Sequence, residues 1–406
     1  MAGQPPVGEP VPADGSIPAA SADRLGSAPF GVYVHVPFCQ TRCGYCDFNT
    51  YTATELGGGA SRESYAALAI AEIQQAGRVL AGRAGPVQTV FFGGGTPTLL
   101  PAGDLIAILR AIHGEFGLAP LAEVTTEANP ETVDERKLAE LRAGGFTRIS
   151  FGMQSAAPHV LAVLDRVHSP GRPEHCVAWA RAAGFDHVSL DLIYGTPGES
   201  DADWHMSLES ALAAGPDHIS AYSLIVEEGT RLAARIRRGE LPMPDDDVLA
   251  DRYLIADGRL TGAGMHWYEV SNWAASQQAQ CQHNQLYWTG GDWWGVGPGA
   301  HSHVSGVRWW NVRHPAAYAQ RLGAGASPGQ GREILTDRER ATERIMLQTR
   351  LASGCPVAEL SPAGRAAAAQ AAVDGLVCND ALGAGYVRLT RQGRLLADAV
   401  IRELTA

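Results

Sequence analysis

A chain of 406 residues with 45% hydrophobic and 18% charged residues reads as a soluble globular protein of about two domains, at roughly 100 to 200 residues each. No apolar run approaches the ~18 to 20 residues that a membrane span requires, so no transmembrane segment is expected. A formal charge of −11 argues against general attraction to nucleic acid phosphates or anionic lipid, so no nucleic acid partner is expected.

Residues 1–28 are rich in Pro, Gly, Ala and Ser and lack a basic stretch followed by an apolar one. They are expected to form a disordered leader with no export signal, which points to the cytoplasm. Seven cysteines is an odd number, and three of them crowd one loop, which favours a metal site over a disulfide framework.

Six β-branched, apolar runs read as strands: "VYVHV" from Val32, "VQTVFF" from Val87, "EVTTEA" from Glu123, "RISFGM" from Arg148, "HVSLDLIYG" from His187 and "HISAYSLIV" from His218. Between them, segments such as 61–80, 102–116 and 131–146 repeat apolar residues at three and four spacing, as helices do. Two helices end in glycine, in "RAGGF" and "RAAGF", where a left-handed cap needs no Cβ. Strand and helix alternation predicts a parallel sheet and an α/β fold, a partial (β/α)6 TIM-like barrel over residues 29–235.

Beyond residue 235 the alternation fades into a tract rich in Trp, Gly and His, expected to be an irregular barrel extension over 236–320. Residues 321–406 predict a small, mostly helical C-terminal domain of winged-helix-like form.

The stretch "CQTRCGYCDF" places Cys39, Cys43 and Cys46 in one irregular loop after the first strand. Thiolates a few residues apart in such a loop can converge on an iron-sulfur core; a three-cysteine zinc site completed by His35 is the alternative. "FFGGGTP" (91–97) is a glycine-rich turn without the GxGxxG spacing of a dinucleotide site. Glu127, Gln154 and Asp191 stand late in their strands, at the end of a barrel that carries function.

The pattern C-x3-C-x2-C, with Tyr45 before the last cysteine, resembles the signature of the radical S-adenosylmethionine (radical SAM) enzymes. The resemblance implies a [4Fe-4S] cluster held by Cys39, Cys43 and Cys46, with one iron open to S-adenosylmethionine. It assigns Gly94, Gly95 and Thr96 to the methionine amino group. Tyr33, Tyr45, Glu127, Gln154, Arg166 and Asp191 join the cofactor-binding set; Arg166 suits the methionine carboxylate and Asp191 the ribose hydroxyls.

"YVHVPFCQTRCGYCDF", "FFGGGTPT", "RISFGMQS", "DLIYGTPGES" and "YEVSNWA" together resemble the coproporphyrinogen oxidase-like group, over nearly the whole chain after residue 28. The group's oxygen-independent oxidase, which decarboxylates porphyrinogen propionates, continues its motif to a further cysteine where this chain has Phe48. Its heme chaperone branch ends the motif in Phe and adds an H-N-x-x-Y-W segment, here His283, Asn284, Tyr287 and Trp288. That branch implies heme as a third cofactor with His283 as its histidine, and apo-hemoprotein clients such as respiratory enzymes. Transient association with membrane complexes and a dimer are compatible with it.

The residues alone leave other readings open. His283 could hydrogen-bond within its segment while the tryptophans fill core, and His301, His303 and Cys281 are alternative heme ligands. Cys176, Cys355 and Cys378 are assigned to packing.

Overall fold

The structure is a computed structural model, and it describes residues 8–56, 61–166, 169 and 171–406. The six expected strands form as β1 (Phe30–Val36), β2 (Val87–Gly94), β3 (Leu118–Ala128), β4 (Arg148–Gln154), β5 (His187–Tyr194) and β6 (His218–Ser223). Each pairs in parallel with the next.

Helices α1 (Arg62–Leu80), α2 (Ala102–Phe116), α3 (Glu135–Ala143), α4 (Arg172–Ala183) and α5 (Asp201–Ala213) connect these strands. Local chemistry sets their ends. Ser61 and Ser200 close capping boxes at the starts of α1 and α5, satisfying donors that the first turn leaves free. Gly184 caps α4 in the left-handed region at φ 85°, whereas α3 reaches that region one residue later, at Gly145 with φ 105°.

Alternation along the strands separates core from cavity. Ile149, Phe151 and Met153 of β4 and Val188, Leu190 and Leu192 of β5 are buried under the helices. There they meet Leu105, Ile108, Leu138, Leu141 and Trp204 in one continuous core. The intervening residues, Ser150, Gly152 and Gln154 of β4 and Ser189 and Asp191 of β5, face a cavity instead.

The Trp-rich tract departs from its expected irregularity. After α6 (Asp246–Gly262), it forms β7 (His266–Glu269), β8 (Asn272–Ala274), α7 (Gln282–Trp288), β9 (Asp292–Val296), β10 (His301–Val304) and β11 (Val307–Asn311). Strand β9 lies parallel to β1, Asp292 opposite Phe30 and Val296 opposite Val34, and so extends the parallel sheet by one strand. Strands β10 and β11, then β12 (Gly329–Ile334), continue it antiparallel. These strands are short and interrupted by glycine, so they carry little of the β-branched run that marks the first six.

The leader also differs from the disordered reading once described. Residues 1–7 lie outside the described residues, but Glu9–Pro10 pairs antiparallel with Gly331 and Arg332. The Arg24 guanidinium then donates to the Ser305 carbonyl at 2.7 Å.

Because β12 belongs to the large sheet, the helical unit begins after it. Helix α8 (Asp337–Gln348) leads into a two-stranded ladder of Cys355–Pro356 with Tyr386–Val387, packed with α9 (Pro362–Val373) and α10 (Ala397–Thr405). Ile345, Leu360, Val377, Leu389 and Val400 build a second core there.

Candidate functional site

The cysteine loop leaves the C-terminal end of β1 and is fixed by its backbone. The Cys39 amide donates to the Tyr51 carbonyl at 3.1 Å, the Gly44 amide to Leu164 at 3.1 Å, and the Leu232 amide to the Gly44 carbonyl at 2.8 Å. A Cβ on Gly44 would meet the Asp165 carboxylate, which would have to shift to make room.

Beneath the loop lies the glycine turn after β2. The Gly95 amide donates to the Val36 carbonyl at 2.8 Å and the Thr96 amide to the Phe38 carbonyl at 2.7 Å. The turn and the cysteine loop are thereby one hydrogen-bonded unit.

Cys39, Cys43, Cys46, Tyr33, Tyr45, Gly94, Gly95, Thr96, Glu127, Gln154, Arg166, Asp191 and His283 all line one cavity of about 1000 Å³. The structure therefore brings these thirteen residues together, whereas Trp288 and the alternative ligands His35, His301 and His303 do not line this cavity. It sits at the C-terminal strand ends, where barrel sites form.

Burial shapes the cavity's charges. The Arg166 guanidinium spans the loop and the sheet, with Nη1 3.6 Å from Cys43 Sγ and Nη2 donating to the Gly152 carbonyl at 2.8 Å. Desolvation, and then the neighbouring Asp191 charge, push the Glu127 carboxyl up to about 8, although it accepts the Gly94 amide. Asp191 is raised by burial as well, and its two oxygens accept the Ser150 hydroxyl at 2.9 Å each. Gln154 holds a left-handed backbone at φ 66°, a conformation that costs a non-glycine residue energy and often marks a functional position.

His35 does not offer the fourth ligand of a zinc site. Its Nε2–H donates to the Asn49 carbonyl at 2.9 Å, so Nδ1 accepts from the Tyr33 hydroxyl at 3.0 Å, and both nitrogens are occupied.

His283, on α7, lines the cavity beside β2. Its Nδ1 is 2.8 Å from Thr89 Oγ1, its Nε2 is 2.8 Å from the Tyr287 hydroxyl, and its ring stacks on Phe91 at 5.2 Å. Burial drives its pKa down to about 3. The imidazole is neutral, but neither nitrogen is open to iron in this conformation. Cys281 is buried too, with Sγ 3.6 Å from Glu123 Oε1, and burial raises its pKa, against the thiolate that iron would bind.

Sequence reading missed the floor of the cavity, where Arg148 pairs with Glu123 at 3.5 Å. His218 meets Ser189 at 2.7 Å and Tyr268 at 2.8 Å there. The signal was present as the mostly polar row at every second position of β4, β5 and β6, alternating with the apolar core row.

A second cavity of about 350 Å³ adjoins the first, and Tyr33, Phe48 and Tyr287 line both. Trp293, His301, Trp310 and Arg313 line it as well. Phe48 is 59% exposed, at the junction of the two. His303 lies outside this wall, with Nδ1 3.3 Å from the Gly291 carbonyl.

Residues 33–211 match the Radical SAM superfamily. The heme chaperone HemW of Mycobacterium tuberculosis is 54% identical over 93% of this chain and 95% of its own length. The HemW proteins of Synechocystis sp. and Escherichia coli are 38% and 34% identical, over 82% and 72% of this chain and 80% and 76% of their own. Among solved structures, coproporphyrinogen III oxidase (HemN) from Escherichia coli, a radical SAM enzyme, superposes with a TM-score of 0.80 at 22% identity. That likeness covers 95% of this chain and 92% of the other, and shows the same fold. With its cysteine loop, glycine turn and α7 wall assembled around one cavity, the chain belongs to the HemW family of the radical SAM superfamily.

Proposed function

We propose that this protein is a cytoplasmic heme chaperone, which binds heme and passes it to apo-hemoproteins such as respiratory enzymes. The observation that carries this reading is the placement of α7, the "QHNQLYW" helix, against the cavity that the cysteines line. The relatives named HemW, which match 72% to 93% of this chain, support it.

The cavity's donor set fits the cofactors of a radical SAM protein. Three thiols on one pinned loop suit a [4Fe-4S] cluster with an open iron, and the fourth position of the longer motif is Phe48. Gly94, Gly95, Thr96, Tyr33, Tyr45, Glu127, Gln154, Arg166 and Asp191 would hold S-adenosylmethionine. When bound, the cluster supplies one electron and S-adenosylmethionine a cleavable sulfonium.

Within that set, Arg166 supplies fixed positive charge beside Cys43, and the Ser150 hydroxyl orients the Asp191 carboxylate toward the cavity. Tyr287, whose ring His283 holds edge to face and whose hydroxyl lies 2.8 Å from His283 Nε2, offers aromatic surface to heme.

Titration of the purified protein with heme, followed by the Soret band, tests the reading; absence of any binding sinks it. Anaerobic iron and sulfide reconstitution should yield a brown protein whose absorbance is lost in the Cys39, Cys43 and Cys46 triple alanine variant. The competing function is radical decarboxylation by a coproporphyrinogen III oxidase. Anaerobic formation of protoporphyrinogen IX by the reconstituted protein would favour it over the chaperone.

A further inference from the structure

We propose that His301, in the smaller cavity, is the axial ligand of the heme iron, and that Arg313 beside it receives a heme propionate. This inference rests on the heme chaperone reading and assigns its ligand.

The histidines around the two cavities differ in what they have left to give. Both nitrogens of His35, His218 and His283 are engaged, by Tyr33 and Asn49, by Ser189 and Tyr268, and by Thr89 and Tyr287. His301 is exposed on β10 and lines the smaller cavity. Among the described residues its ring makes an aromatic contact with Trp310, centroids 6.1 Å apart, and its carbonyl rather than its ring accepts the Trp293 indole N–H at 3.0 Å. Partial burial, and then the Arg313 and Arg308 charges, lower its pKa, which favours the neutral imidazole that binds iron.

The surroundings suit a porphyrin rather than a bare metal ion. Trp293, Trp310, Tyr287 and Phe48 offer aromatic surface, and the Tyr287 and Trp293 rings meet edge to face at 4.6 Å. Arg313 is anchored through its backbone, its carbonyl accepting Asn49 Nδ2 at 2.8 Å and the Tyr51 hydroxyl at 3.1 Å. Its Nε is 3.5 Å from Asn49 Oδ1, and among the described residues its guanidinium pairs with no carboxylate. A charge-assisted pair with a propionate would satisfy it.

About 350 Å³ is near the low end of the ~300 to 1,000 Å³ of small-molecule sites. Such a groove grips one edge of a macrocycle and leaves the rest outside, which suits a carrier that must release its cargo to another protein. Because Tyr33, Phe48 and Tyr287 line both cavities, heme here would lie against the wall of the cluster site without filling it.

The test is a ferric heme titration of the full chain and of His301→Ala and His301→Cys, reading affinity and Soret position together. His301→Ala should weaken binding by no less than the roughly tenfold that losing a ligand's supporting partner costs. His301→Cys should restore binding with the Soret band of a thiolate-ligated heme, a signature that a merely structural histidine would not give. Binding with unchanged affinity and band position in both variants overturns the ligand assignment and leaves the chaperone reading standing. A wild-type chain that binds no heme overturns both.

Discussion

Gly95 shows how one missing Cβ couples two loops. A methyl group there would stand 2.5 Å from the Phe38 carbonyl oxygen and 2.9 Å from that of Val36, and neither backbone atom can swing aside. Gly95→Ala should therefore cost about 1 to 3 kcal/mol, lower the urea midpoint and reduce S-adenosylmethionine retention by displacing the cysteine loop. Gly103, in the first turn of α2, has nothing within 4 Å of its built Cβ; Gly103→Ala should leave the midpoint unchanged or raise it. Equal midpoints for the two variants would refute this account of the turn. The need for glycine was legible in "FFGGGTP", but its cause was not, because Phe38 meets the turn only after β1 and β2 pair. Phe48 is similar: the sequence marks it as an absent cysteine, and only the folded chain places it, largely exposed, between two cavities.

At the scale of elements, α1 is tied to the β9–β11 extension by one carboxyl group. Glu72 of α1 accepts the Gly297 amide at 2.8 Å, Asn311 Nδ2 at 2.7 Å and the Tyr318 hydroxyl. Burial nevertheless pushes its pKa from 4.5 up to about 7, so the folded state holds this proton more tightly than the unfolded chain does. The resulting stabilisation is fully present below pH 4.5 and is lost as the pH rises through about 7, a change on the order of 3 kcal/mol. Denaturant midpoints measured across that window should fall for the wild type and fall less for Glu72→Gln. The variant's curve should not become flat, because burial raises Glu127, Glu199 and Glu269 as well; parallel curves would refute the assignment to Glu72. The first six strands were readable because their runs are long and flanked by helices with regular apolar spacing. Strands β9 to β12 were not, since they are short, and tryptophan, histidine and glycine signal sites as readily as strands. Nor could spacing reveal which histidine is free: the partner that occupies His283 Nδ1 is Thr89, 194 residues away.

For the molecule as a whole, the C-terminal helical unit has its own core, and polar contacts with named partners join it to the barrel. Asp257 of α6 is central among them. It accepts the Trp273 indole N–H from β8 at 3.1 Å and Arg394 Nη1, from the short helix Arg391–Leu395, at 2.9 Å. The Arg394 guanidinium also lies 4.0 Å above the Trp267 ring of β7, where a cation is attracted to the aromatic face. Asp257 is 4% exposed, so solvent screens this pair far less than it would a surface pair, and removing one charge leaves the other poorly solvated. Asp257→Asn keeps the side chain's size and can still accept from Trp273, but it withdraws the charge that Arg394 faces. The variant should lose about 2 to 3 kcal/mol and, under limited proteolysis, release the segment after β12 sooner than the wild type. Arg394→Ala removes the guanidinium from both Asp257 and Trp267, and should loosen the same junction while leaving the cluster cavity, which neither residue lines, able to take up iron and sulfide. If both variants keep the wild-type midpoint and cleavage rate, the junction is held by apolar packing, and the buried ion pair adds nothing to it.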